Sequence, residues 1–276
     1  MMWIVFFVFG AVFGSTANAL IDRLPKKISW TKGRSVCDTC KHELKIIDLI
    51  PIVSYLSLIN NAPLHPPLKS NLRFASKAVR GGNLGRWFSA SCRYCHFPIP
   101  ARNFLLEVWM AVGFLVISYQ LSVINQVVVV CLIFWVTTII AVMDFETKLV
   151  ADMMVIIWGI LVFCLNLPLS PSLVKEGVTG VMASVGLIGG IWLVSKGKAM
   201  GSGDIGIAAV MGWWLGWPNI AVGLWVAFVS GAIYGVIKLI KRSSKLRDEV
   251  AFGPWLVIGS WIGFLYGEKL IKMVIK

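Results

Sequence analysis

The sequence predicts an all-α polytopic membrane protein of about eight transmembrane helices with one large polar loop. Three observations lead there. Of 276 residues, 58% are hydrophobic and only 14% charged, and the mean hydropathy is +0.80. Apolar stretches recur along nearly the whole chain at a length that crosses a bilayer, about 17–25 residues each. Thirteen Trp and 26 Gly suit closely packed helices with interfacial anchors. In hydrocarbon the backbone must satisfy its own hydrogen bonds, so these stretches are helices.

The first apolar run, Met1 to about Ile21, lacks a basic leading region. Asp22-Arg23-Leu24-Pro25 follows it in place of a small-residue cleavage site. It is expected to be a retained first helix, 1–22, with its N-terminus outside. The polar loop follows at 23–103, with a Pro-, Asn- and Lys-rich insertion near 60–89. Seven further runs make up an expected helical core at 104–276. They are Phe104–Gln120, Val127–Met143, Met153–Leu167, Val178–Ser195, Ile205–Trp217, Ile220–Leu239 and Phe252–Tyr266. Pro and Asn mark turns at 166–171 and 216–219.

The net charge of +13 is concentrated in one segment. Between Arg23 and Arg102 there are fourteen Lys or Arg against three acids, Asp38, Glu43 and Asp48. Basic loops stay on the cytoplasmic side during insertion, and they attract anionic headgroups. The charge is therefore read as topology and lipid-bilayer contact, not nucleic-acid binding. Eight crossings with this loop inside put Lys148, Lys196, Lys198 and the basic run from Lys238 to Arg247 inside as well. Only Lys175 lies in the outside loops between them. Lys269, Lys272 and Lys276 go against the rule, although a late tail rarely sets orientation.

Two of the few acids beyond the loop sit where burial is costly. Asp144 directly follows Val127–Met143, and Asp204 opens the sixth helix in Met200-Gly-Ser-Gly-Asp-Ile-Gly206. The third helix runs inward and the sixth outward, so both carboxylates lie at the cytoplasmic face at similar depth. An ionisable group near hydrocarbon is by default a functional hypothesis. Two close carboxylates do not both ionise easily, so one keeps a proton. The ionised one can take a proton from water while its partner hydrogen-bonds a scissile carbonyl. That is the chemistry of an aspartyl protease. The structural alternative makes Asp204 a helix N-cap and Asp144 an interfacial residue beside Lys148.

These residues carry a family resemblance. Gly201-Ser-Gly-Asp204 resembles the GxGD signature of intramembrane aspartyl proteases. Gly10-Ala-Val-Phe-Gly-Ser15, Ile21-Asp-Arg-Leu-Pro25, the paired Cys-x-x-Cys motifs, Ile50-Pro-Ile-Val-Ser-Tyr55, Ala101-Arg-Asn-Phe-Leu-Leu-Glu107 and Phe252-Gly-Pro254 resemble type IV prepilin peptidases in motif order. The resemblance implies that Asp144 and Asp204 are the catalytic pair. It implies as substrate the short basic leader of a prepilin or pseudopilin, cut at the cytoplasmic face of the bacterial inner membrane. It further implies methylation of the new N-terminus with S-adenosylmethionine in many members. Asp152 matches a second family aspartate and is read as structural. The chain departs from the family at Asp38, Leu49, Asn103 and Phe104. These departures fall in, or at the end of, the loop that the resemblance associates with methyl transfer and leave both aspartate motifs intact.

Cys37-Asp-Thr-Cys40 and Cys92-Arg-Tyr-Cys95 have the paired spacing of a tetrahedral zinc site. Disulfides are the alternative, disfavoured if the loop faces a reducing cytoplasm. Cys92-Arg-Tyr-Cys95-His96 also fits haem attachment, which the cytoplasmic placement of the loop opposes. Cys131 and Cys164 fall inside helices and read as packing residues; His42 and His65 are assigned no role. Two rival functions remain. A transporter would also place carboxylates in the membrane, and a non-catalytic scaffold would bind pilins without cutting them. The substrate pilin, any residues that bind S-adenosylmethionine and the oligomeric state are not legible.

Overall fold

The computed structural model describes residues 2–26, 40, 101–121, 123–167, 170–198, 200–240 and 251–274. Among them are eight helices: α1 (Met2–Arg23), α2 (Ala101–Gln120), α3 (Ile124–Thr147), α4 (Asp152–Leu165), α5 (Pro171–Ser195), α6 (Ser202–Leu215), α7 (Asn219–Ile240) and α8 (Gly253–Val274). Five are long and apolar enough to cross a membrane: α1 from Trp3, α2, α3, α5 and α7. Helix α4 is apolar but shorter. The multi-pass helical class therefore holds. Cys37, Cys92, Cys95, the insertion at 60–89, His42 and His65 lie outside the described residues.

The chain divides into two compact units, 1–127 and 128–276. In the first, α1 and α2 pack antiparallel, as their register shows. Gly10 faces Met110 and Ala111, and Gly14 faces Glu107. One turn on, Asn18 donates to the carbonyl of Asn103 at 3.1 Å, and Asp22 pairs with Arg102 at 2.8 Å. Residues 10, 14, 18 and 22 are one helical face at a spacing of four.

The second unit is organised around α6, which touches α4, α5, α7 and α8. Ile207, Ala208 and Met211 of α6 are fully buried. Helices α5 and α6 cross where Gly180 and Gly212 meet backbone to backbone, and Ser184 Oγ donates to the carbonyl of Ala208 at 2.8 Å. Helix α3 joins α8 through side chains. Trp261 Nε1 donates to Thr137 Oγ1 at 3.1 Å, and the Phe134 and Trp261 rings meet edge to face at 5.3 Å. Trp261 and Phe264 of α8 in turn pack on Trp214 of α6.

Helix boundaries differ from the hydropathy runs where charge, not backbone, ended the run. Helix α5 begins at Pro171, seven residues before Val178. Ser170 caps it, accepting from the Leu173 amide at 3.3 Å, and Pro171 suits the first helical position. Lys175 and Glu176 lowered the hydropathy there without interrupting the helix. Helix α3 continues past Met143 to Thr147, so Asp144 lies within its last turn. Helix α8 continues beyond Tyr266 to Val274 for the same reason.

Candidate active site

Asp144 is fixed by the way α3 stops. Thr147 Oγ1 donates to the carbonyl of Met143 at 2.7 Å, and the Lys148 amide closes the last turn on the carbonyl of Asp144 at 2.8 Å. Lys148 then turns left-handed, at φ 56°, a conformation that few non-glycine residues adopt. The linker runs through Val150 to Asp152, the first residue of α4. Asp144 is 5% exposed, and its Oδ2 accepts from the Gly253 amide at 2.9 Å.

Asp204 is the third residue of α6. The N-cap is Gly201, at φ −75° and ψ 154°, and Asp204 Oδ2 reaches back to its amide at 3.2 Å. This is one half of a capping box; glycine has no side chain to supply the other. The capping alternative for Asp204 is thus partly realised, from the third helical position instead of the N-cap itself. Asp204 is 6% exposed. Gly203 lets Val150 of the α3–α4 linker come close, since a Cβ on Gly203 would lie 2.8 Å from Val150 Cβ.

Both carboxylates line one cavity of about 340 Å³, together with Lys148, Asp152, Lys198, Ser202 and Phe252. Asp152 lies at the same cavity but is solvent-exposed, unlike the buried pair. A larger groove of about 460 Å³ runs along α5 past Gly186, Gly190 and Val194. It contains no titratable group, so the smaller, polar cavity is the one with chemistry. Two buried carboxylates facing one cavity can activate a water and polarise a carbonyl together.

Cys131 is buried in α3 and Cys164 exposed on α4. Among the described residues no three His, Cys, Asp or Glu side chains are grouped to hold a metal ion. Three of the four loop cysteines lie outside those residues. The Gly253 amide was missed from sequence, because a backbone donor has no residue-type signature. The available signal was Gly253-Pro254, since proline just inside a helix start marks where unpaired amides collect.

Residues 8–62 match the family model described as the Bacterial Peptidase A24 N-terminal domain. Residues 131–236, which contain both aspartates, match that of the Type IV leader peptidase family. Curated relatives of similar length include three proteins named prepilin leader peptidase/N-methyltransferase. The one from Aeromonas salmonicida strain A449 is 24% identical over 304 residues, covering 98% of this chain and 94% of the relative. The Pseudomonas aeruginosa protein is 25% identical over 291 residues, covering 95% and 90%. The Bacillus subtilis strain 168 protein is 24% identical over 282 residues, covering 99% and 97%. No solved structure matches the chain.

Proposed function

We propose, on the premise that this chain belongs to the type IV leader peptidase family, that it is a membrane aspartyl endopeptidase whose working pair is Asp144 and Asp204. The chain is a prepilin peptidase, and the proposal concerns how and where it cuts. The observation that carries it is the meeting of two buried carboxylates from separate helices at one polar cavity.

The working form holds one proton across the pair. The ionised carboxylate accepts a proton from water as the water oxygen bonds to the scissile carbonyl carbon. The protonated carboxylate donates to the carbonyl oxygen, giving a neutral tetrahedral diol. Collapse breaks the C–N bond: the leaving nitrogen takes a proton from the carboxylate that first accepted one, and a diol hydroxyl gives its proton to the other carboxylate as the carbonyl re-forms. Each aspartate thus acts as acid and base in turn, and the pair titrates as a unit.

The substrate is the leader of a type IV prepilin or pseudopilin. The eight helices are read as eight crossings of the bacterial inner membrane, with the catalytic cavity facing the cytoplasm. The basic segment from Arg23 to Arg102 supports that orientation. Within it, Cys37, Cys40, Cys92 and Cys95 are the donor set for one structural zinc ion. Four thiolates in two Cys-x-x-Cys pairs suit its tetrahedral preference. Purified protein is expected to carry about one zinc per chain by metal analysis; no zinc, with all four thiols alkylated as readily as free cysteine, would overturn that assignment.

The relatives' names include N-methyltransferase; methyl transfer, with S-adenosylmethionine as the proposed donor, would follow cleavage at the freed amine. The peptidase reading is tested by co-expressing a prepilin and measuring the mass of its N-terminal fragment. Loss of the leader is expected, and one added methyl group would report the second activity. An uncut prepilin in membranes that contain the folded protein would point instead to a transporter or a pilin-binding scaffold.

A further inference from the structure

We propose that the Gly253 backbone amide positions the dyad, and that α7 holds it in place through a glycine-floored aromatic contact at Gly231. The inference deepens the peptidase reading, and its kinetic arm rests on that reading.

The first helical hydrogen bonds of α8 go to the carbonyl of Phe252, from Trp255 at 3.0 Å and Leu256 at 3.2 Å. Gly253 is therefore the first helical residue, and its amide has no partner inside the helix. Pro254 has no amide to offer. The Gly253 amide instead donates to Asp144 Oδ2 at 2.9 Å in a buried bond. A larger residue would displace the carboxylate, because a Cβ would lie 2.7 Å from Oδ2 and 3.2 Å from Cγ of Asp144. With Oδ2 taken by this amide, Oδ1 is the oxygen left to act on water. The bond thereby sets which face of the carboxylate works.

The amide is only as well placed as the end of α8. Phe252 and Trp255, on either side of Gly253, lie over Gly231 of α7. A Cβ there would meet Phe252 Cε2 at 3.1 Å and Trp255 at 3.4 Å. The Phe228 and Phe252 rings are 5.2 Å apart and the Tyr234 and Trp255 rings 5.1 Å. Tyr234 also meets Phe145, the residue after Asp144, at 6.0 Å. Two turns of α7 thus contact chain neighbours of both Asp144 and Gly253. A side chain at Gly231 would press on Phe252, at the edge of the cavity, and move the end of α8 without contacting either aspartate.

Two measurements test this on the full chain. The sequence has three Phe–Gly pairs, at Gly10, Gly14 and Gly253. Carbonyl-labelled Phe with amide-labelled Gly therefore gives three resonances in detergent, and Gly253→Ala identifies the third by its loss. Hydrogen exchange at Gly253 is expected to be at least about tenfold slower in the wild type than in Asp144→Ala. Rates within about twofold of each other would overturn the amide clamp, whatever the activity. In the kinetic arm, Gly231→Leu is expected to lower kcat for prepilin cleavage about tenfold with KM nearly unchanged. Gly235→Ala, one turn along with nothing within 4 Å of its Cβ, should match the wild type. A wild-type kcat in Gly231→Leu would overturn the α7 contact. Slow exchange in a wild-type protein that cuts no prepilin would leave the clamp standing and sink the peptidase reading.

Discussion

Asp144→Asn and Asp204→Asn are each expected to lower prepilin cleavage by about 10³-fold or more, in the upper part of the range for lost general acid–base catalysis. One carboxylate cannot both accept the water proton and polarise the carbonyl, so either loss disables the pair. Folding should survive. Asparagine is nearly isosteric, and its Oδ1 can still accept from the Gly253 amide at position 144 or the Gly201 amide at 204. Each variant should therefore show wild-type helicity and a thermal midpoint within a few degrees. Asp152→Asn is the control, because Asp152 is exposed at the same cavity and is expected to change the rate less than about threefold. Near wild-type processing by either dyad variant would remove the aspartyl mechanism. A loss in Asp152→Asn equal to theirs would make the site a triad.

The proposed catalytic pair was legible because hydrocarbon leaves charge so few places. Acids at the ends of apolar runs are scarce, and the direction of each run fixes its side of the membrane. Asp144 and Asp204 therefore stood out before any contact was known, and the structure brings them to one cavity. Hydropathy was a poorer guide to helix ends. It lost α5 at Lys175 and Glu176, although the helix runs on to the Ser170 cap, because a helix is propagated by backbone bonds that a charged side chain does not interrupt. The Asp144–Gly253 bond and the seat of Val150 on Gly203 were hidden for another reason. Both depend on tertiary approach of backbone segments far apart in sequence, and a glycine alone does not say what it approaches.

Gly212→Leu is expected to be the most damaging substitution away from the cavity. Helices in a membrane associate through close packing of small residues and a few interhelical hydrogen bonds, with little hydrophobic drive between them. At the α5–α6 crossing there is no slack. A Cβ on Gly212 would lie 2.7 Å from the carbonyl oxygen of Gly180 and closer still to Ser184 Oγ. The first is rigid backbone, so the helices must separate, and the Ser184–Ala208 bond is lost with the contact. Overpacking of this kind costs about 1–3 kcal/mol. The consequence for activity is larger than that figure suggests, because α6 has only 14 residues and carries Asp204 two turns from Gly212. Moving it off α5 moves one carboxylate relative to the other, and misplacement by about 1 Å can cost 10²-fold in rate. Gly186→Leu on the same helix as Gly180 provides the contrast, since nothing lies within 4 Å of its Cβ. Thermal unfolding in detergent and prepilin cleavage should both fall sharply for Gly212→Leu and stay near wild type for Gly186→Leu. Equal stability of the two variants would mean that the α5–α6 crossing does not set the position of Asp204.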